Sequence, residues 1–457
     1  MSDTEDVKFS LSVLVNKQRT KVLYAEIDSD FADIILSFLS LPLGTIVRIL
    51  GKHYGDESPV VGSLTNLYNS LSNLNSDLFC TESCKQMLLN PRKSFENERS
   101  KLKLYVDDTP LTKGFECANK DCSYKGTQLG FYYDTSKCDC RNTLSNEVAL
   151  DHYEETGGVY TKNTKTFIIS DDLQIFPSET GYILRILTGL GITSTDFTEL
   201  MDVTFGFNQV MDLLKGSLLS KTPLTDIILN KGVLNSIAVK CEPCILPVDQ
   251  AVEKSSSNDK KMTVRAIIQE STNRLLFVEA DGNFVDFLFS LLTIPLGKVE
   301  CLLGSSTRLK NIDNLYRSLG NITDDKYLKT DTKTMLLEPR LPTGYVSKDN
   351  ILPLIEETSK WGGYYIKSPK GLGNYVKGQK TYMVTNDLTV TPFYMASIIS
   401  IFNQLKVPFS DVKELELDIG LKEALKILKA SLTSTSALSN GLMIKRTAKK
   451  IPKQEHA

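Results

Sequence analysis

An internal duplication constrains the fold of this chain more than any other feature of its sequence. Residues 26–51 align with residues 279–304 at a shift of 253 without a gap, and 11 of the 26 aligned pairs are identical. Shorter matches follow at smaller shifts, where Asn66-Leu67-Tyr68 aligns with Asn314-Leu315-Tyr316 at a shift of 248. This spacing is far longer than that of a solenoid repeat, so the sequence predicts two copies of a domain-sized unit.

The duplication sets the predicted domain boundaries. The first repeat lobe spans residues 7–245 and the second spans residues 262–440, and each is expected to be able to fold alone. Residues 246–261 form the predicted linker, because they include the polar, Ser-rich stretch VEKSSSNDKK. Residues 441–457 form a predicted basic, flexible tail, which is either a solvated end or a contact for an acidic partner or an import factor.

Each copy begins with a pattern that is typical of a β-hairpin. Phe9, Leu11, Val13 and Val15 alternate with smaller or polar residues, and a polar turn separates them from a second strand at residues 21–27. The second copy repeats this pattern between residues 264 and 278.

Helices are predicted to follow the hairpin. Ser29 or Asp30 is expected to cap the first helix. A further strand, Thr166–Ser170, precedes a helix that Gly191 is expected to end. The predicted class is therefore α+β: two homologous lobes, each with β-hairpins in an antiparallel sheet packed by helices.

Several segments of both copies resemble a known family. They share paired acidic residues, Pro-Leu-Gly turns and Gly-Tyr or Ser/Thr-rich motifs: Glu26–Asp28, Phe31–Asp33, Leu39–Gly44, Glu279–Asp281, Asp286–Phe287, Pro295–Gly297, Gly362–Tyr365, Val384–Thr391 and Lys429–Ser439. They resemble the plant family catalogued as domain of unknown function 674, over nearly the whole chain. The resemblance implies a plant source and a tandem duplicated architecture. It implies no activity, cofactor or catalytic residue.

The first copy contains a cysteine-rich insert at about residues 110–145 that the second copy lacks. Its four cysteines follow the spacing C-x4-C-x15-C-x-C: Cys117, Cys122, Cys138 and Cys140. Two close pairs predict a zinc ribbon in which four thiolates hold a structural Zn²⁺, with no position left open for catalysis. The alternative is a loop of free thiols, labile redox pairs or a redox sensor.

The remaining cysteines give weaker signals. Cys80 and Cys84 have helical spacing and are expected on the surface or in the core of a helix. Cys241 and Cys244 form a CxxC pair without the βαβ pattern of a thioredoxin, so free thiols are favoured over a redox or metal site.

Charge and histidine content narrow the partners and the chemistry. The chain has 53 Lys+Arg and 55 Asp+Glu residues, and residues 93–140 contain eight of each sign, so the basic footprint of nucleic-acid binding is missing. The three histidines are not repeated between the copies, which argues against a duplicated His-based active site. A protein or a small molecule is the expected partner.

The N-terminus and the hydropathy pattern predict the compartment. Residues 1–6 are acidic and precede no signal-peptide core, and the most apolar run, residues 34–50, is too short to span a membrane. We expect a cytoplasmic protein without a transmembrane segment and with access to the nucleus.

Acidic residues recur in both copies and define two functional hypotheses. They lie near a strand end and the first turn of a helix: Glu26, Asp28, Asp33, Glu279, Asp281 and Asp286. Helix capping is the favoured interpretation, and acid–base chemistry or cation binding is the alternative. The sequence thus favours a zinc-stabilised binding or interaction protein over an enzyme of small plant metabolites that uses paired carboxylates in a cleft between the lobes.

Overall fold

Three five-stranded β-sheets with helices packed on them form the described part of the protein. The computed structural model describes residues 7–93, 101–110, 112–132, 135–149, 158–230, 260–358, 360–361, 363–371 and 373–442. The predicted α+β class is confirmed. Most of the predicted linker and tail, and the Cys241/Cys244 pair, lie outside the described residues.

The strands and helices are numbered in chain order. The strands are β1 (Phe9–Asn16), β2 (Val22–Asp28), β3 (Gly114–Cys117), β4 (Gln128–Gly130), β5 (Leu144–Val148), β6 (Thr166–Ser170), β7 (Ile175–Pro177), β8 (Thr198–Phe205), β9 (Met262–Gln269), β10 (Arg274–Ala280), β11 (Lys360–Trp361), β12 (Tyr364–Lys367), β13 (Tyr382–Thr385), β14 (Val390–Pro392) and β15 (Val412–Ile419). The helices are α1 (Ser29–Ser37), α2 (Leu43–Tyr54), α3 (Leu64–Asn73), α4 (Glu82–Leu89), α5 (Thr180–Gly189), α6 (Phe207–Leu219), α7 (Pro223–Ile228), α8 (Gly282–Ser290), α9 (Leu296–Leu302), α10 (Lys310–Asn321), α11 (Asp324–Tyr327), α12 (Thr332–Leu337), α13 (Met395–Leu405), α14 (Leu421–Thr433) and α15 (Ala437–Gly441).

Two of the sheets have the same strand order. The first is β7-β6-β2-β1-β8 and the second is β14-β13-β10-β9-β15, and every pairing in both is antiparallel. Both predicted hairpins, β1–β2 and β9–β10, are present. The edge strands β8 and β15 were not predicted, although Met201, Val203 and Phe205 alternate along β8.

The first helix of each sheet unit is capped by an aspartate at the end of the preceding strand. The backbone N–H of Phe31 donates to Oδ1 of Asp28 at 2.8 Å, and that of Phe284 donates to Oδ1 of Asp281 at 3.1 Å. The predicted caps Ser29 and Asp30 are therefore wrong, because the extended backbone that a cap requires occurs at Asp28.

Each of the two large sheets is completed by a helix from the other half of the chain. The N–H of Val390 on β14 donates to Oγ of Ser70 on α3 at 2.9 Å. In the matching contact, the N–H of Ile175 on β7 donates to Oγ of Ser318 on α10 at 3.1 Å. Residues 7–230 and 260–442 therefore exchange helices across their boundary.

The two halves also meet through backbone hydrogen bonds at the centre of the molecule. The N–H of Leu43 donates to the carbonyl of Ile294 at 3.0 Å, and the N–H of Leu296 donates to the carbonyl of Leu41 at 2.9 Å. One hydrophobic core continues across this contact, with buried residues from both halves. The halves thus share a core, whereas the sequence predicted lobes that are each able to fold alone.

The third sheet joins the cysteine-rich insert to the second half. Its order is β11-β12-β4-β3-β5, and β12 pairs in parallel with β4, where Tyr365 lies opposite Gln128 and Lys367 opposite Gly130. The insert was predicted as part of the first lobe. Its sheet is instead shared, because β12 satisfies the open edge of the short strand β4.

Candidate metal centre

Four cysteine side chains converge beside the third sheet. Cys117 ends β3, Cys122 lies in the turn that follows, and Cys138 and Cys140 lie in the loop before β5. Their sulfur atoms all lie within 4.8 Å of one another. The Sγ–Sγ distance is 3.4 Å between Cys117 and Cys140 and 3.5 Å between Cys122 and Cys138. The structure therefore brings together the four residues that the sequence singled out.

The turns that present the cysteines are fixed by local hydrogen bonds. In the first turn, Oδ1 of Asn119 accepts from the N–H of Asp121 at 3.0 Å. In the second, the N–H of Cys138 donates to the carbonyl of Asn142 at 2.9 Å, and Arg141 has a φ of 72° that lets the chain reverse. Hydrogen bonds within the protein therefore fix both turns without the help of an ion.

The geometry and donor set fit a tetrahedral metal ion. A Zn²⁺ ion with four thiolates at about 2.3 Å would separate the sulfurs by about 3.8 Å. The Cys117–Cys140 and Cys122–Cys138 separations of 3.4 Å and 3.5 Å lie slightly below this value, and all four sulfurs lie within 4.8 Å of one another. A disulfide needs a bond of about 2.05 Å, and all four cysteines are free. Sulfur-only tetrahedral sites suit zinc or iron. Four thiolates would fill the coordination sphere, so the arrangement suits a structural role.

Neighbouring groups perturb the acidity of the thiols. Burial raises the pKa of Cys117, and it raises that of Cys138 to about 12. The hydrogen bond from the Asn142 amide, at 3.4 Å, lowers the pKa of the half-buried Cys140 to about 6. Binding of a divalent ion would therefore release protons from the buried thiols.

The surroundings of the four cysteines provide packing and N–H···S contacts. Phe115 and Leu144 form a small buried cluster with the cysteines. The N–H of Tyr124 points to Sγ of Cys122 at 3.3 Å. Such outer contacts orient ligands and stabilise thiolate charge at metal sites.

The other described cysteines lie away from this cluster. Cys84 is buried on α4, as its helical spacing predicted, whereas Cys80 is exposed and precedes the helix. Cys301 lies on α9. None of these three belongs to a group of metal-ligating side chains in the described residues.

The repeated carboxylates have three different structural roles. Asp28 and Asp281 cap helices, which confirms the favoured interpretation for this pair. Glu26 accepts a hydrogen bond from Ser178 at 2.9 Å, and Glu279 lies 3.3 Å from Arg265. Glu26 thus contacts a residue directly after β7, and Glu279 contacts a residue of the neighbouring strand β9.

The remaining pair, Asp33 and Asp286, anchors two extended segments. Asp33 is buried and accepts from the N–H groups of Val159, Tyr160 and Thr161. Asp286, also buried, accepts from two N–H groups, those of Tyr375 at 2.6 Å and Val376 at 3.0 Å. Burial raises the pKa of Asp33 to about 6, against the effect of these hydrogen bonds. These aspartates organise the chain, a role that the sequence did not predict.

Comparison with known proteins identifies the family. The profile of the family described as protein of unknown function (DUF674) matches residues 5–369 and 365–457. The chain belongs to this family. No curated protein and no solved structure matches it. The resemblance in the acidic and Pro-Leu-Gly motifs is thus confirmed at the level of the family.

The helices of this DUF674 member do not include a membrane-spanning candidate. Among the described residues, each helix is too short or too polar to cross a bilayer.

Glu300 on α9 and Asp313 on α10 of this DUF674 member form a buried carboxyl pair that the sequence did not predict. Oγ1 of Thr307 lies 2.9 Å from Oε1 of Glu300 and 2.6 Å from Oδ1 of Asp313, and all three residues are buried. A hydroxyl has one proton, which serves the shorter contact to Asp313. The contact with Glu300 then requires a proton on that carboxyl group. Burial, reinforced by the nearby Asp313, raises the pKa of Glu300 to about 9.

The Glu300 site gives a pH-dependent prediction. The pKa of Glu300 in the folded protein, about 9, lies above its ordinary value of 4.5. The stability that it contributes is therefore greatest below pH 4.5 and is lost as the pH rises through 9. Glu300→Gln keeps a neutral side chain, so we expect its melting temperature to exceed that of the wild type by several degrees at pH 9, with a smaller difference at pH 5.

Thermal melts between pH 5 and pH 9 measure this difference. The exposed Glu57→Gln is the matched control and should follow the wild type at every pH. A constant difference between Glu300→Gln and the wild type across this range would contradict the buried protonated carboxyl.

Proposed function

We propose that this protein is a zinc-stabilised binding protein that docks a partner protein through apolar side chains on the outer faces of its two large sheets. The observation that carries the proposal is the exposure of helices α5 and α13. None of the ten residues of α5 is buried, and Phe402 is the one buried residue of α13. Apolar helix faces normally pack on a core, so exposed ones favour an interaction site.

Two apolar ridges are defined by these helices and the segments beside them. The second ridge consists of Tyr394, Met395, Ile399 and Phe409, and Met395 is 77% exposed. The first ridge consists of Leu184, Leu190, Phe197 and Leu200, and Leu200 is 64% exposed. The same kind of surface thus occurs at the corresponding helix of both large sheets.

Acidic residues flank both ridges and specify the chemistry of the partner. On β15, Glu414 and Glu416 lie opposite Ile267 and Arg265 of β9, and Ile267 packs with Phe402 of α13. Glu414 forms an ion pair with Arg265 at 3.7 Å, so the two glutamates leave a net negative charge on this face. On β8, Asp202 shares a sheet face with Leu200, because residues two positions apart in a strand point to the same side of the sheet. A partner segment with apolar side chains flanked by Lys or Arg complements both surfaces.

We also propose the identity of the metal, the origin of the fold and the compartment of the protein. Four thiolates without a histidine and without an open position favour structural Zn²⁺ at Cys117, Cys122, Cys138 and Cys140. The common strand order of the two sheets supports two homologous lobes that arose by tandem duplication. Free thiols fit a reducing compartment, cytoplasmic with access to the nucleus, in a plant cell.

The enzyme hypothesis receives less support. It requires paired carboxylates that face one cleft, whereas the repeated acids are engaged as caps, as anchors of backbone segments and on the outer faces of separate sheets. Among the residues that the structure describes, no contact specifically favours binding of a small molecule.

Affinity capture with ridge variants tests the proposed function. The double variant Met395→Glu, Leu200→Glu puts charge into both ridges and should lower the affinity for the partner at least tenfold, because a buried carboxylate must be desolvated. Val60→Glu is the matched control, since Val60 is also an exposed apolar residue but lies outside the ridges. Bound proteins are quantified, and each is then titrated in purified form by calorimetry at low and high salt.

The result expected is a partner that binds the wild type and Val60→Glu equally, binds the double variant weakly and loses affinity as salt increases. A partner that binds all three proteins equally, or no partner at all, would refute the ridges as the binding surface.

A further inference from the structure

The metal-site loop is held from the second half of the chain by one lysine. Nζ of Lys367 lies 2.7 Å from Oδ1 of Asp139, the residue between Cys138 and Cys140. The backbone carbonyl of the same lysine accepts from Oγ of Ser136 at 2.9 Å. Lys367 therefore contacts the turn that carries Cys138 and Cys140 through both its side chain and its main chain.

The strand that carries this lysine pairs with the strand between the two cysteine turns. β12 runs parallel to β4, and the N–H of Tyr365 donates to the carbonyl of Thr127 at 2.8 Å. Gln128, the first residue of β4, accepts from the N–H of Asp139 at 2.9 Å, and its amide also contacts the Asp139 carboxylate. Asp139 is thus fixed from β4 and from β12.

This arrangement connects the four cysteines to the docking of β12. Cys122 precedes β4 and Cys138 follows it, so an ion bound by all four thiolates would close both turns around this strand. β12 and Lys367 contact the same strand and the same turn from the other side. Ordering of the cysteine turns therefore gives β12 a preformed surface to dock on, and docking of β12 likewise preforms the turns for the ion.

From this geometry we propose that Lys367 is a positioning residue for the metal centre, and that metal binding and docking of β12 stabilise each other. The inference rests on the proposed zinc site and adds a regulatory role to it. Zinc would hold the 364–367 segment of the second half against the insert. By thermodynamic reciprocity, loss of the Lys367 contact would weaken zinc binding by the same factor by which zinc strengthens this contact.

Two measurements on the full-length protein test the coupling. Zinc affinity is determined by competition with a chromophoric chelator, and amide hydrogen exchange of residues 364–367 is compared with and without zinc. We expect Lys367→Met to bind zinc roughly tenfold or more weakly than the wild type, as substitutions around metal ligands commonly do. In the wild type, removal of zinc should speed exchange in residues 364–367.

Lys326→Met is the matched control, because Lys326 also bridges the halves through an exposed ion pair, with Glu179 at 2.7 Å. It should leave both measurements unchanged. Equal zinc affinity in Lys367→Met and the wild type, with unchanged hydrogen exchange of residues 364–367 after zinc removal, would overturn the coupling but leave the zinc site standing. Absence of zinc binding by the wild type would overturn the zinc site and, with it, this inference.

Discussion

Replacement of Cys138 by serine is expected to abolish stable metal binding by the purified protein. Cys138 is buried among the other three cysteines, and its thiolate supplies one of four ligands. With three ligands left, the affinity for zinc should fall by roughly a hundredfold or more. The amides of the insert should also lose protection from hydrogen exchange, because Phe115 and Leu144 pack directly against the cysteines. Elemental analysis of the wild type should give about one zinc ion per chain.

The exposed Cys80→Ser is the matched control for this prediction and should retain the metal. A fully loaded Cys138→Ser, or a wild type without metal after purification in the presence of zinc, would refute the proposed centre. Recovery of iron in place of zinc would keep the cysteine ligands and change the identity of the ion.

Division of the chain between Ser256 and Ser257 is expected to yield two fragments that fold only together. Each isolated half would lack the helix that covers the edge of its large sheet, α10 for the first and α3 for the second. It would also expose part of the shared core, which costs about 25 cal/mol per Å² of apolar surface. We expect each fragment alone to melt without a cooperative transition, and the two co-expressed fragments to copurify in equal amounts.

Calorimetry and size-exclusion chromatography of the separate and the co-expressed fragments check this prediction. An intact chain with the substitution Ser257→Ala is the control for the position of the cut. A cooperative transition in either isolated half, near the melting temperature of the intact protein, would contradict the shared core and favour separately folding lobes.

The local structure was largely predictable from the sequence. Alternation of apolar residues gave the β1–β2 and β9–β10 hairpins, and the strand at Thr166–Ser170 was predicted with its observed bounds. Gly191, with a φ of 73°, lies just beyond α5 where a helix stop was expected. These features depend on neighbouring residues, so their signals lie within short windows of sequence.

The long-range arrangement was not predictable in the same way. The parallel pairing of β12 with β4 joins Lys367 to Gly130, and no turn chemistry or spacing encodes it. The same holds for α3 and α10, whose apolar faces are clear in the sequence but whose covering sheets lie in the other half. The spacing of apolar residues along α5 gives this helix an apolar face, yet the spacing does not specify whether a core or another molecule covers that face.

For the candidate site, the sequence identified the four cysteines and missed what surrounds them. Their spacing was enough to predict a shared site, because each close pair can sit on one tight turn and only two turns must come together. The contacts of Asp139 with Gln128 and Lys367, by contrast, depend on the pairing of strands from distant segments. Glu300 and Asp313 were missed for a different reason. Only acidic residues that recur in both copies were considered as a site, and the aligned positions in the first copy hold Val47 and Thr65.

The exchange of helices between the halves also has a consequence for biosynthesis. Ser70 on α3 meets its partner Val390 across 320 residues of sequence. At about 5–20 residues per second, a ribosome needs on the order of 15–60 s to make that interval. The face of α3 that carries Ser70 therefore emerges long before its partner strand exists. We expect the nascent chain to depend on chaperones that shield exposed surface during translation.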